Sequence, residues 1–327
     1  MTYDFSTDTY QHPNLAALKE HLAAKLDLIA QYPEPRPRQL EALIAERLGI
    51  SSQEVMLTNG SVEAIHLIAA IYRGRASVIP QPTSPEYARA CRIHRHIISY
   101  ENTESMTVLP KNRVYWICNP NTPSGNVLKK GFVDYLVRRS PRYTFVVDQS
   151  YEAYTDEPLL VPAEMRGVSN LLMIHSIGKT YGVPGLRLGY ITAPLNIIQQ
   201  LRQQHRRWAF SCLSLEAGKF LIENGQPAIE DIGEFLKESE RLRSRLREID
   251  GLRVYETRTS YMLCELRDHT VAQLARYLAT EHQMSIYDCS DHGGLSDHFF
   301  RISAQEPDEN DALADAIQQF MQENKVK

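Results

Sequence analysis

Residues 175–190, which read HSIGKTYGVPGLRLGY, decide how this chain is interpreted. They hold one lysine, Lys179, with Ser176 three residues before it and Arg187 eight residues after it. An apolar run precedes this segment. The glycines and the proline within the segment would interrupt any long helix. The pattern therefore predicts a lysine that is presented on a loop directly after a buried strand.

The tripeptide GKT at 178–180 also matches the end of a nucleotide phosphate loop. That motif needs a glycine five residues before its second glycine, and this chain has Met173 there. The loop must also run into a helix, which Gly182 and Pro184 would break. A nucleotide phosphate loop is therefore rejected.

An amine, a hydroxyl and a guanidinium at this spacing suit an aldehyde that carries a phosphate. A neutral lysine amine condenses with an aldehyde, which is the reaction expected of Lys179. The Ser176 hydroxyl and the Arg187 guanidinium are donors of the type that binds a phosphate monoester. A single loop lysine is usually a surface residue, but the three residues together indicate a cofactor site.

Upstream, residues 145–151 (FVVDQSY) place Asp148 at the end of an apolar strand and Tyr151 three residues later. Ligands bind at the carboxyl ends of strands in open α/β sheets. Asp148 there can keep a pyridine nitrogen protonated, so that the ring accepts electrons, and Tyr151 can hydrogen-bond the phenolate oxygen of that ring. The alternative is that Asp148 only caps the next helix.

Two further polar segments follow predicted strands. At residues 58–63 (TNGSVE), the N–H groups of Ser61 and Val62 would bind a phosphate at a helix start, and Gly60 would permit its close approach. Residues 119–125 (NPNTPSG) form a rigid loop that carries amide side chains. An ordinary capped helix and a plain turn remain the alternatives.

Length and composition limit the class of protein. The 327 residues, 43% of them hydrophobic, are enough for one large core and a second, smaller one. A net charge of −4 argues against a nucleic-acid or anionic-membrane partner, and no run approaches the ~20 apolar residues of a membrane span. The first residues lack a signal peptide, and five scattered cysteines form no C-x-x-C pair. We therefore expect a cytoplasmic protein without a metal site.

The first two thirds of the chain alternate between apolar strands and helical patterns. Predicted strands cover residues 55–57, 77–80, 114–118, 145–148, 171–175 and 188–192, and predicted helices cover 39–48, 61–72 and 130–139. These strands lack polar alternation, so we expect a mostly parallel sheet that is covered on both faces.

After Thr192 the pattern changes to long charged helices with a few strands. Predicted helices cover residues 196–207, 228–249, 271–282 and 308–324, and predicted strands cover 252–255, 261–266 and 300–303. The expected fold class is α/β: a three-layer αβα domain over residues 30–195, with a smaller α+β domain from residues 1–29 and 196–327.

Together these segments resemble the fold type I enzymes that depend on pyridoxal 5′-phosphate (PLP). The resemblance is to class I/II aminotransferases of the histidinol-phosphate aminotransferase kind and to the related threonine-phosphate decarboxylases. It runs from Tyr32 to Arg301. It implies the PLP-dependent transferase fold, with PLP bound to Lys179 as a Schiff base. The implied cofactor-binding residues are Gly60, Ser61, Val62, Tyr87, Asn121, Asp148, Tyr151, Ser176, Lys179 and Arg187.

Further roles come from the resemblance alone. Tyr87 would stack on the cofactor ring, and Lys179 would move the substrate α-proton. Tyr32 would reach the cofactor phosphate of a neighbouring subunit, which implies a homodimer with shared active sites. Arg301 would bind the substrate α-carboxylate, because a guanidinium grips a carboxylate with two parallel hydrogen bonds.

The chain departs from this pattern at three positions. Thr122 stands where many relatives have an asparagine that contacts the ring oxygen, which leaves Asn121 or Asn119 for that role. Ser84 stands where an aromatic residue is common, and Tyr287 stands where histidinol-phosphate aminotransferases usually have an arginine for the substrate phosphate. Residues 5–6 (FS) and 207–211 (RWAFS) look more like the decarboxylase branch.

The pattern favours transamination between an L-amino acid, or a related amine with or without a phosphate, and a 2-oxo acid. Decarboxylation of the threonine-phosphate decarboxylase type is the alternative, since one arginine on the carboxylate suits either reaction. A PLP-binding regulator is disfavoured, because only 31 residues precede Tyr32 and a helix-turn-helix module needs more.

Overall fold

The computed structural model describes residues 3–102 and 113–324, and its strands form three sheets. In chain order they are β1 (Tyr3–Asp4), β2 (Val55–Thr58), β3 (Ala76–Gln81), β4 (Ile97–Asn102), β5 (Arg113–Cys118), β6 (Thr144–Asp148), β7 (Leu171–Ser176), β8 (Gly189–Thr192), β9 (Leu252–Val254), β10 (Tyr261–Leu266), β11 (Met284–Ser285), β12 (Tyr287–Asp288) and β13 (Phe299–Ser303).

The α-helices lie between and after these strands. They are α1 (Ala16–Ala23), α2 (Arg38–Leu48), α3 (Gly60–Ile71), α4 (Pro85–Ile93), α5 (Lys130–Arg139), α6 (Ile177–Thr180), α7 (Leu195–Gln204), α8 (Cys212–Asn224), α9 (Ile232–Arg247), α10 (Val271–Tyr277) and α11 (Pro307–Glu323). Within the described ranges, no helix has both the length and the apolar character that crossing a membrane requires.

Seven strands form the central sheet in the order β2-β8-β7-β6-β5-β3-β4. All neighbouring pairs are parallel except those of β8, which runs antiparallel to both β2 and β7. Every residue of β2, β7 and β8 is buried, as expected for strands that are covered on both faces. The predicted, mostly parallel sheet is confirmed.

Helices cover this sheet on both sides. On one face, α3, α4 and α7 pack on alternate residues such as Met56, Val146 and Ile174. On the other face, α5 packs against Val147 and its neighbours, and α2 and α8 pack against Val55 and Leu57. The three-layer αβα arrangement is therefore confirmed.

A second core lies around a smaller antiparallel sheet of order β12-β13-β10-β9. Residues from α9, α10 and α11 pack on it, with Phe300 and Ile302 of β13 at its centre. The short strand β1 pairs in parallel with β11, which brings the N-terminal segment to this sheet. The predicted α+β domain is thus present, while a division of the chain at residues 30 and 195 stays a proposal.

Several elements differ from the sequence prediction. The helices α4 and α8 and the edge strand β4 were not predicted. The helix expected over 228–249 begins at Ile232, because the Asp231 side chain caps it by accepting the Glu234 N–H (3.0 Å). The helix expected over 196–207 ends at Gln204, where His205 is extended.

Candidate active site

A cavity of about 180 Å³ lies at the carboxyl ends of β6 and β7. Both the central sheet and β13 of the smaller domain contribute side chains to it. Seven residues predicted from the sequence line its walls: Ser61, Val62, Tyr87, Asp148, Tyr151, Lys179 and Arg301.

Lys179 sits in a single helical turn, α6, rather than in the predicted loop. Ser176 ends the buried strand β7 and caps this turn, since its Oγ accepts the Lys179 N–H (3.3 Å). The Lys179 carbonyl accepts a hydrogen bond from the Tyr154 hydroxyl (3.1 Å). These bonds fix the backbone, while the Nζ lies 4.8 Å from the centre of the Tyr151 ring.

Asp148 ends β6 and points its carboxylate into the buried end of the cavity, with 4% of the residue exposed. Its Oδ1 accepts the Ser150 N–H (2.9 Å), and its Oδ2 accepts the Tyr87 hydroxyl (2.8 Å). Burial and the negative charge of Asp148 raise the pKa of Tyr87 well above its ordinary value, so Tyr87 donates as a neutral phenol. Asp148 is therefore a fixed, buried acceptor and does not cap a following helix.

A candidate phosphate site lies where β2 runs into α3. Gly60 has φ +80° and begins α3, and Ser61 and Val62 follow in its first turn. The Arg187 guanidinium packs on Gly60 so closely that a Cβ at this position would lie 2.8 Å from Nη2. A helix N-terminus next to a guanidinium suits a phosphate dianion.

Replacing Gly60 by alanine is expected to weaken PLP binding about tenfold, because a left-handed backbone costs ~1–2 kcal/mol with a Cβ and Arg187 must move. Titration of PLP into the apoprotein measures the Kd. Gly131→Ala is the matched control, since Gly131 lies inside α5 with open space around its Cβ position. If the two variants bound PLP with equal Kd, the assignment of Gly60 to the phosphate site would be wrong.

Arg301 is carried by β13 and is buried, with 3% exposed. Its Nη1 donates to the Thr122 Oγ1 (2.8 Å) and its Nη2 donates to the Ser6 carbonyl (2.9 Å). Within the part of the chain that the structure describes, its Nε has no hydrogen-bond partner. A buried guanidinium with an unused donor is suited to a carboxylate ligand.

Asp8 is a cavity residue that was missed at the sequence level. Its Oδ2 lies 3.6 Å from both the Lys179 Nζ and the Arg301 Nη1, and it also accepts the Tyr151 hydroxyl. Burial alone would raise the pKa of Asp8, but Lys179, Arg301 and Tyr151 outweigh it and lower that pKa to about 2. No local pattern marks Asp8, because its partners are more than 140 residues away in the chain.

The contact with Asp8 also affects the predicted role of Tyr151. Burial and the Asp8 charge raise the pKa of Tyr151 well above its ordinary value, so the phenol keeps its proton. It donates that proton to Asp8. A hydrogen bond from Tyr151 to a cofactor ring oxygen would therefore need the hydroxyl to leave Asp8.

Three residues considered in the sequence analysis, Asn121, Asn119 and Tyr32, do not line the cavity. The side chain of Asn121 bonds to Thr83, Pro82 and Ser124. Asn119 is bonded at both ends of its amide to the Leu128 backbone. Tyr32 is 91% exposed on the surface.

Comparison with known proteins identifies the class of this site. The family model described as "Aminotransferase class I and II" matches residues 2–317. Histidinol-phosphate aminotransferase from Thermoanaerobacter pseudethanolicus is 26% identical over 303 residues, which cover 89% of this chain and 84% of the relative.

Solved structures agree along the whole chain. L-threonine-O-3-phosphate decarboxylase from Porphyromonas gingivalis superimposes with a TM-score of 0.95 at 31% identity, covering 98% of this chain and 99% of that one. Histidinol-phosphate aminotransferase from Sinorhizobium meliloti, solved in complex with pyridoxal-5′-phosphate, has a TM-score of 0.81 at 15% identity, covering 99% and 91%.

The chain belongs to the class I and II aminotransferase family of PLP-dependent enzymes. Pyridoxal 5′-phosphate is its cofactor, as expected from the sequence. The side chains present fit this group: a lysine amine, a buried carboxylate for the ring nitrogen, and a cradle at Gly60 that a Cβ would fill.

Proposed function

We propose that this enzyme decarboxylates an L-amino acid and that O-phospho-L-threonine is the first substrate to test. The observation that carries this proposal is the likeness to the Porphyromonas gingivalis protein named L-threonine-O-3-phosphate decarboxylase. It combines 31% identity with a TM-score of 0.95 over nearly the full length of both chains. It outweighs the preference for transamination that the sequence alone suggested.

Arg301 is proposed to bind the substrate α-carboxylate. The guanidinium is held in place by Thr122 and Ser6, and its buried Nε has no hydrogen-bond partner among the described residues. Two fixed hydrogen bonds restrict the rotation of the guanidinium, so the carboxylate is held at a set angle. That angle would decide which bond at the substrate α-carbon the bound cofactor activates.

Asp148 and Lys179 are proposed to handle the protons. Bound PLP supplies an electron-accepting ring, and Asp148 keeps its nitrogen protonated from a buried, hydrogen-bonded position. The Lys179 Nζ faces the cavity and would deliver a proton to the α-carbon when CO2 has left. Both residues are polar groups that a fixed backbone orients before the substrate arrives.

Transamination is the second candidate. The histidinol-phosphate aminotransferase from Thermoanaerobacter pseudethanolicus matches 89% of this chain. Transamination uses the same lysine, aspartate and arginine but breaks the Cα–H bond. In this chain Tyr287 packs its ring 4.5 Å from the Arg301 guanidinium carbon, at the position where that aminotransferase type was expected to carry an arginine.

One assay separates the two reactions. Holoenzyme is incubated with carboxyl-labelled O-phospho-L-threonine or L-threonine, and separately with L-histidinol phosphate plus 2-oxoglutarate. Release of labelled CO2 with a stoichiometric amine product is expected from the phosphorylated amino acid. Formation of glutamate without CO2 would replace decarboxylation with transamination.

We also propose that the enzyme is a homodimer with active sites shared between subunits. Tyr32 is 91% exposed, and its ring centroid lies 6.4 Å from that of Trp208, which is 49% exposed. Exposed aromatic pairs of this kind are typical of protein interfaces. Light scattering at several protein concentrations would test this, and a monomer that is fully active would contradict it.

A further inference from the structure

The Asp8 carboxylate lies beside the group that is proposed to hold the substrate carboxylate. The N-terminal segment is fixed at Phe5, whose N–H donates to the Ser285 carbonyl (2.9 Å) and whose carbonyl accepts the Ser303 N–H (3.2 Å). Because Ser303 is two residues from Arg301 on β13, this pairing sets Asp8 against the guanidinium. Asp8 is thus positioned by the fold of the smaller domain and is not an incidental surface acid.

Asp8 carries its negative charge at any pH near neutrality. Its pKa of about 2 reflects the charges of Lys179 and Arg301 and the Tyr151 hydrogen bond, which together overcome burial. Its side chain is 23% exposed. Water therefore screens this charge only in part.

A substrate carboxylate on Arg301 would approach a second negative charge. The Arg301 Nη1 lies 3.6 Å from the Asp8 Oδ2, so a carboxylate bound to the same guanidinium comes within a few ångströms of Asp8. Like charges at this separation disfavour each other in a partly buried site. An enzyme whose reaction keeps the carboxylate intact would gain nothing from this repulsion.

We propose that Asp8 is a specificity-determining residue that favours cleavage of the bond to the carboxylate by repelling the bound carboxylate of the substrate. This rests on the proposed decarboxylase function. The Cα–carboxylate bond breaks, its electron pair remains on Cα and is accepted by the cofactor ring, and neutral CO2 leaves. A proton then takes the vacated position on Cα. The negative charge next to Asp8 is lost in this step, so the repulsion is relieved on the way to the transition state.

The test uses Asp8→Asn, which keeps the shape of the side chain and removes its charge. In the holoenzyme, KM for O-phospho-L-threonine is expected to fall and kcat for CO2 release to fall about tenfold, the signature of lost ground-state repulsion. A larger share of turnovers should leave the cofactor in its amine form, which inactivates the enzyme. The measurement is the activity lost during turnover that is recovered when fresh PLP is added. Asp8→Ser serves the same purpose if the asparagine variant does not fold.

A binding measurement gives a readout without turnover. Propionate has a carboxylate but no amine that could react with the cofactor, and calorimetry measures its Kd for the holoenzyme. Removing the Asp8 charge should tighten propionate binding about tenfold. Ethyl phosphate, which lacks both the carboxylate and the amine, should not bind more tightly to the variant.

Asp4→Asn is the matched control on the same segment. Asp4 accepts hydrogen bonds from Ser6 and Ser285 and lies outside the cavity, so this change loosens the segment without altering the charge near Arg301. Unchanged or weaker propionate binding in Asp8→Asn would overturn the proposal, and so would an equal effect in Asp4→Asn. Absence of CO2 release from the wild-type enzyme would instead overturn the decarboxylase function and leave the propionate comparison as an independent result.

Discussion

Replacing Lys179 by alanine is expected to lower turnover at least about 10⁴-fold, because we propose that the same amine binds the cofactor and moves a proton. The visible absorbance band of the lysine-bound cofactor should disappear in the same variant. Lys179 lines the cavity, with its Nζ over the Tyr151 ring and 3.6 Å from the Asp8 Oδ2. Steady-state kinetics and the absorbance spectrum of the protein mixed with PLP measure the two effects.

Lys237→Ala is the control for this loss. Lys237 lies on α9, its side chain is 73% exposed, and it pairs with Glu234 one turn earlier on the same helix. Its removal should leave kcat and the spectrum unchanged. A small primary amine such as methylamine should restore part of the activity of Lys179→Ala. Without added amine, the variant should keep only its residual rate. Turnover that survives in Lys179→Ala without added amine would refute the proposed role of this residue.

Replacing Asp148 by asparagine is expected to lower kcat about 10³-fold, because it removes the preorganised charge that we propose lies at the ring nitrogen. The asparagine has nearly the same volume, and its Oδ1 can still accept the Ser150 N–H. Its amide nitrogen would stand at the position of Oδ2 and donate to the Tyr87 hydroxyl, which would then accept. The asparagine carries no negative charge, so it does not hold a proton on the pyridine nitrogen. The measurements are kcat and the ¹⁵N chemical shift of labelled PLP, which reports protonation of that nitrogen.

Tyr87→Phe separates the charge of Asp148 from its hydrogen bonds. It removes the 2.8 Å bond to the Asp148 Oδ2 and keeps the carboxylate. A hydrogen bond to a charged group contributes about 1.5–3 kcal/mol, so a loss between about tenfold and a hundredfold is expected. If Asp148→Asn and Tyr87→Phe reduced kcat equally, with the ring nitrogen still protonated, the charge of Asp148 would not be what matters.

Most of the central sheet could be predicted from short sequence windows. Strands β2, β5, β6, β7 and β8 are buried on both faces, and such strands appear as continuous apolar runs. The edge strand β4 was missed because it is largely exposed and includes polar residues; Ile97 is 72% exposed. Helices α4 and α8 were missed although their caps were readable: Ser84 before Pro85, and Ser211 before a helical pattern.

The residues of the candidate site also divide into those that a local sequence pattern selected and those that it did not. Lys179 and Asp148 each stand next to a buried strand, so an apolar run and the polar residue after it were enough to select them. Tyr87 and Arg301 were selected only through the resemblance to a family. Asp8 was not selected at all, since it follows a strand of two residues and has no motif around it.

The sequence by itself determined the class of fold, the cofactor and the lysine that we propose binds it, because these depend on patterns within a few neighbouring residues. Tertiary structure alone decided which charges meet. Residues 8, 179 and 301 come together because β1 pairs with β11, Ser303 binds the Phe5 carbonyl, and β13 directs Arg301 towards the end of β7. Such contacts arise from the packing of two cores against each other, and no local spacing in the chain encodes them.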